Sequence, residues 1–186
     1  MGDFRSESAL GGRIQAARKA RGFRTTRELA GAIDGGNVSE SIIENIEAGR
    51  KASLDVSQLL NIAMALGVAP SYLLAPLGRP GDGIDLPNLS KAFEGMSAME
   101  FDSWLSNVPA GGYQPQSMDE RNASAELEAL REWAAFTREA ARLEVVLELE
   151  VVAGGSLAER TQARLTFSHD EKTRLETYLS TAGWDL

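Results

Sequence analysis

Between Val38 and Arg50 the chain reads VSESIIENIEAGR, a run in which hydrogen-bonding side chains recur at helical spacing. Glu40, Ser41, Glu44 and Asn45 fall on one side of a 3.6-residue period, while Val38, Ile43 and Ile46 fall on another. Asn can bond the N6 and N7 of adenine together, and Glu can accept from cytosine N4. The polar side therefore has the residue types that recognise base edges, and the apolar side has those that build a core. Gly49 supplies a helix stop, followed at once by the cations Arg50 and Lys51. An ordinary amphipathic surface helix carries the same pattern, so its meaning depends on the elements around it.

Other arrangements with chemical potential are weaker. Ser168, His169 and Asp170 contain the ingredients of a triad, but three consecutive residues at a helix start cannot converge on one substrate atom. Ser168 with Glu171 reads better as a capping box, and His169 is the single histidine. With no cysteine, disulfides and thiolate metal sites are excluded. No phosphate-binding glycine loop occurs, and the abundant carboxylates stand at the spacing of a solvated helix face. Neither a catalytic residue, a metal site nor a cofactor is expected, and the chain does not read as an enzyme.

The elements that must hold the Val38–Arg50 run lie on both sides of it. Upstream, Gly12 to Phe23 (GRIQAARKARGF) has a narrow apolar stripe, Ile14 and Ala17, and a cationic face of Arg13, Lys19 and Arg21. Thr25 and Glu28 form a capping box that starts a second helix, with Leu29, Ala30 and Ile33 as its buried positions. Downstream come Leu59 to Val68 (LLNIAMALGV) and Pro70 to Leu74 (PSYLL). These five pieces, in this order and spacing, resemble the lambda-repressor-like, Xre-type helix-turn-helix family, of the kind that phage repressors carry. The resemblance covers Leu10 to Leu77, roughly two-fifths of the chain.

That resemblance implies a five-helix domain whose third helix enters the major groove of double-stranded DNA. Glu40, Ser41, Glu44 and Asn45 would then meet base edges, while Thr26, Arg27, Arg50 and Lys51 would serve phosphates. It also implies an internal ion pair between Arg18 and Glu47, linking the first helix to the recognition helix. Two departures stand out. Asp34-Gly35-Gly36-Asn37 lengthens the turn before the third helix by about three residues, which reads as a flexible loop. Thr26 and Arg27 stand where the family commonly has a glutamine.

A net charge of −8 is unfavourable for binding phosphates, but it is unevenly distributed. Residues 1–79 hold 10 Lys and Arg against 8 Asp and Glu, a net +2, whereas residues 80–186 hold 9 against 19, a net −10. Arg13, Arg18, Lys19, Arg21, Arg24, Arg27, Arg50 and Lys51 gather around the recognition run, as in a small DNA-binding module. No apolar run reaches membrane-spanning length, and the N-terminal residues lack a signal peptide's apolar stretch, so a cytoplasmic, nucleoid-associated protein is expected.

Composition divides the chain into a helix-turn-helix domain at 1–78, a Pro/Gly-rich linker at 79–96 and a helical C-terminal domain at 97–186. The fold class expected is all-α. Capping boxes at Ser97/Glu100, Ser117/Glu120, Ser156/Glu159 and Ser168/Glu171 predict four helices in the second half. The first runs near Ala98 to Asn107, with Met99 and Trp104 apolar. The second is long, from Met118 to Val152, with Leu127, Leu130, Trp133, Phe136, Ala140, Leu143 and Leu147 as its stripe. Residues 145–152 also alternate as a strand would and could pair with 161–167 in a small β-hairpin; the helical reading is preferred because the stripe continues into Gly154-Gly155. A slender hairpin offers this stripe too little partner surface. A homodimer through Trp133, Phe136, Leu143 and Leu147 is therefore expected, as relatives with such extensions also suggest. The function implied is a sequence-specific transcriptional regulator, a repressor acting by operator occupancy. Two alternatives stand beside it: an antitoxin-like protein whose acidic half binds a partner protein, and a monomeric repressor whose second half also touches DNA. A self-cleaving peptidase, which some phage repressors carry, is not expected, since its nucleophile segment and β-rich region are missing.

Overall fold

The computed structural model describes residues 3–51, 53–152 and 158–186. The protein is all-α: among these residues there is no strand, only an isolated bridge between Gly83 and Ser97. The chain forms two compact units, Met1–Gln114 and Pro115–Leu186.

The first unit begins with a 3-10 turn at Phe4–Ser6, followed by α1 (Leu10–Ala20), α2 (Thr26–Gly31), α3 (Glu40–Glu47), α4 (Val56–Leu66) and α5 (Pro70–Leu74). Local chemistry accounts for several boundaries. Thr25 Oγ1 accepts from the Glu28 N–H and the Glu28 carboxylate accepts from the Thr25 N–H, a complete capping box that starts α2. Ser39 caps α3, and Gly49, at φ +67°, turns the chain away after it. Ile14 and Ala17 of α1, Leu29 of α2, Ile43 and Ile46 of α3, Ile62 and Leu66 of α4 and Leu73 of α5 share one core with Val38.

The Pro/Gly-rich stretch 79–96 lies inside this unit. Ala75, Ala98 and Phe101 form a second small core, on which Leu77, Ile84, Leu86, Phe93 and Met96 pack. These apolar side chains, not the Pro/Gly composition, decide where the segment goes, and the division between units falls at 114/115. The segment includes a 3-10 turn at Lys91–Phe93 and leads into α6 (Ala98–Ser106), which a Ser97/Glu100 capping box starts. On α6 the buried residues are Ala98, Phe101 and Ser103; Met99 and Trp104, expected as its apolar side, are exposed. Trp104 still stacks edge-on against Phe93, with ring centroids 5.2 Å apart.

The second unit is a hairpin of α7 (Met118–Val152) and α8 (Ala158–Thr181). The helices run antiparallel, since Glu126 near the start of α7 accepts from Trp184 Nε1 and Leu143 farther along packs with Leu165 of α8. The β-hairpin alternative for 145–167 does not occur: residues 145–152 belong to α7 and 161–167 to α8. Gly154, Gly155 and Ser156, which entered the sequence reading as stop and cap, lie outside the described residues. Ser168 does not start a helix. It is buried in the middle of α8, in the series Thr161, Leu165, Ser168, Leu175 and Leu179 that faces α7. A serine caps only where the preceding chain leaves the helix, and here the helix continues through it. No helix among the described residues is long and apolar enough to cross a membrane.

Trp133, Phe136, Leu143 and Leu147, expected at a dimer interface, face α8 of the same chain. Trp133 and Phe136 pack on Ala129, Leu175 and Leu179, and Leu147 packs on Ala140, Leu143 and Leu165. Trp133 Nε1 donates to Glu176 at 3.0 Å. The stripe thus finds its partner surface within the hairpin, because α8 is 24 residues long and presents a matching row. What remains outside is a different set: Val145, Leu149 and Phe167 are each more than half exposed.

Candidate nucleic-acid interface

The orientation of α3 follows from its two buried isoleucines. Ile43 and Ile46 are 0% and 3% exposed, and burying each such side chain stabilises by about 1.5–3 kcal/mol. Rolling α3 to hide Glu44 would forfeit both, so Ser41 and Glu44 are held outward, with Glu40 and Asn45 half-buried beside them. The backbone of α1 lies close on the other side. A Cβ on Gly11 would collide with the Ile46 carbonyl oxygen, so only glycine permits this approach.

Arg18 and Glu47 lock the same two helices together. Arg18 Nε donates to Glu47 Oε1 at 2.7 Å and Nη2 donates to Oε2 at 2.8 Å, while Nη1 donates to the carbonyls of Phe23 and Arg24. Both side chains are nearly buried. The hydrogen bonds that Arg18 donates to Glu47 raise its pKa above the ordinary value. Gln15 Nε2 adds a third, longer bond to Glu47 Oε2.

The extended turn before α3 is tied down by side chains instead of hanging as a flexible loop. Gln58 of α4 is buried, and its Nε2 donates to the Asn37 carbonyl while its Oε1 accepts from Lys51 Nζ at 2.6 Å. Asn37 Nδ2 in turn donates to Ser57 Oγ at 2.9 Å. One glutamine therefore joins the segments entering and leaving α3. Sequence reasoning passed over it, although a polar residue one turn before Ile62, on the buried side of α4, was a readable signal.

The proposed contact residues are not all free-standing. Arg27, 82% exposed, bonds Glu40 at 3.1 Å, and Arg50 Nε donates to Asn45 Oδ1 at 3.0 Å. Ser41 shares a hydrogen bond with Ser39, Thr26 is half-buried at the start of α2, and Glu44 is exposed. Lys19, Arg21 and Arg24 are exposed as well.

Arg13 departs from the expected cationic face. It is wholly buried, and its five N–H donors meet five acceptors: Leu73 O, Leu74 O, Glu7 O and both oxygens of Asp85. Asp85 also accepts from the Ala9 N–H. Burial works against the Asp85 carboxylate, but the bonds from Arg13 and Ala9 outweigh it and hold its pKa below the usual range. Asp85 was not legible in the sequence, since nothing local connects it to Arg13. In the second unit Arg142, Arg164 and Arg174 are paired with Glu139 and Glu171 on the surface.

No family model, no curated protein and no solved structure matches this chain.

Proposed function

We propose that this protein binds double-stranded DNA sequence-specifically through α3 and regulates transcription as a repressor, by occupying an operator. The observation that carries the reading is the construction of α3. Its apolar side is sunk in a core and its last turn is locked to α1 through Arg18–Glu47, so a short polar face is presented rigidly among exposed cations. A preorganised helix of this size fits a major groove, and Glu40, Ser41, Glu44 and Asn45 carry groups that base edges recognise. Arg27 and Arg50 touch that face through Glu40 and Asn45, and with Thr26 and Lys51 they would supply attraction to the backbone. The order of α1 to α5 supports the five-helix, lambda-repressor-like reading.

The second unit would hold two copies together. Val145, Leu149 and Phe167 are apolar and exposed on a two-helix hairpin that has no third layer within the unit. Two hairpins would cover them in a larger bundle, and two linked reading heads gain effective concentration on a site with two half-sites. The deciding experiment is selection of bound sequences from a random pool of double-stranded DNA by the full-length protein. Enrichment of a defined sequence is the expected result. Failure to enrich any sequence, with co-purification of a partner protein, would favour a protein-interaction role.

A further inference from the structure

Asn45 enters the sequence reading as a base reader and Arg50 as a phosphate cation, but the structure couples the two. Asn45 lies in the last turn of α3, and its Oδ1 accepts from Arg50 Nε at 3.0 Å. Its backbone carbonyl accepts from the N–H of both Arg50 and Lys51, at 2.9 and 3.0 Å. The segment after Gly49 is thereby folded back on Asn45 through backbone and side chain together.

This geometry redistributes the roles. Bidentate pairing of an Asn with adenine needs the amide oxygen to accept from N6 while the nitrogen donates to N7. Asn45 Oδ1 keeps a second lone pair, but while it holds Arg50 the orientation of its amide is set by that bond and not by an adenine edge. The guanidinium, by contrast, gives up only Nε. Nη1 and Nη2 have no other partner among the described residues, and they lie in one plane as the fork that matches guanine O6 and N7. Fixing that plane beforehand removes part of the ordering cost of a long side chain. The nature of the partner also matters. Asn45 is neutral, so it orients Arg50 without cancelling its charge, whereas Arg27 is held by the carboxylate of Glu40. A phosphate would need only the charge; a fixed plane is useful for a base edge.

We infer that Arg50 reads a guanine in the bound DNA and that Asn45 is its positioning residue. This rests on the reading of α3 as the helix that enters the groove. The test uses the full-length wild type with Arg50→Lys, Arg50→Ala and Asn45→Ala, each selecting from a random pool of double-stranded DNA. Wild type should enrich a site with a G·C pair for which both Arg50 variants lose discrimination by about 10- to 100-fold. Asn45→Ala should relax the same pair to a smaller degree. Arg50→Lys, at an exposed position, keeps both charge and fold, so the result does not depend on how Asn45→Ala folds. Uniform weakening on all sequences by the Arg50 variants, with Asn45→Ala relaxing an A·T pair, would overturn the inference and leave DNA recognition by α3 standing. If wild type enriches nothing, the DNA reading itself falls.

Discussion

Two arginines of α1, five residues apart, carry most of the polar structure inside the first unit. Arg18 is held by Glu47 of α3, and Arg13 by Asp85, each in a two-pronged pair. Removing one partner of a buried pair strands the other charge, which costs about 3–5 kcal/mol when burial is nearly complete. Glu47→Ala is therefore expected to lower the melting temperature strongly, and an unchanged melt would show that the pair contributes nothing. Asp85 makes a separate prediction about pH. Its folded pKa is lowered, so the stability it contributes is present above the ordinary aspartate value of about 3.9 and lost as pH falls through the folded value. Asp85→Asn should destabilise at pH 7, and its deficit against wild type should shrink as acid titrations pass below about pH 4. A deficit that stayed constant down to pH 2 would mean that the ionised carboxylate is not the stabilising form. Family resemblance made the Arg18–Glu47 pairing legible. Arg13 and Asp85 stand 72 residues apart with no periodicity between them, so their pairing could only be seen once the chain was folded.

At the scale of elements, the approach of α1 to α3 rests on a single missing side chain. Gly11→Ala would place a methyl group against the Ile46 carbonyl and force the helices apart, strain that in packed interiors costs typically 1–3 kcal/mol. Because α3 would shift with its polar face, the variant should lose DNA affinity in mobility-shift titrations by more than its loss of folded fraction explains. Equal losses would mean that Gly11 matters for stability alone. The helices themselves were largely readable, because their signals are local. Thr25 with Glu28 and Ser97 with Glu100 announce α2 and α6, and the spacing of Trp133, Phe136, Ala140 and Leu143 announces α7. The same local logic misleads at Ser168 and Glu171, which have the letters of a cap but sit inside α8, where Ser168 faces α7. It misleads again at 79–96, where Leu86, Phe93 and Met96 pack against a core that the glycines and prolines around them conceal. The stripe of α7 was visible while its partner was not, since α8 carries its matching row at positions broken by Thr161 and Ser168.

Charge and fold divide the molecule at different places: residues 1–79 carry a net +2 and residues 80–186 a net −10, whereas the two compact units meet at 114/115. The unit boundary, with Asp85 on its N-terminal side, predicts how the chain can be cut. A truncation after Gln114 retains Asp85 and the small core around Phe101, and should give a folded monomer. A truncation after Arg79 removes Asp85 and leaves the buried Arg13 guanidinium without its counter-charge, and should fail to fold. On DNA the 1–114 fragment should protect a single half-site and bind about 10²- to 10⁴-fold more weakly than the full chain, the factor that tethering two modules provides. Full-length protein should scatter light as a particle near 40 kDa, twice the 20.0 kDa chain. Charged residues at Val145 and Leu149, both exposed and outside the α7–α8 core, should return it to a folded 20.0 kDa monomer whose melt no longer depends on protein concentration. Their placement makes the comparison specific, because Leu143 and Trp133 are occupied within the hairpin and would unfold it when changed. A full-length mass near 20.0 kDa at micromolar concentration would exclude the dimer, and the footprint would then have to be that of a single copy on an asymmetric site.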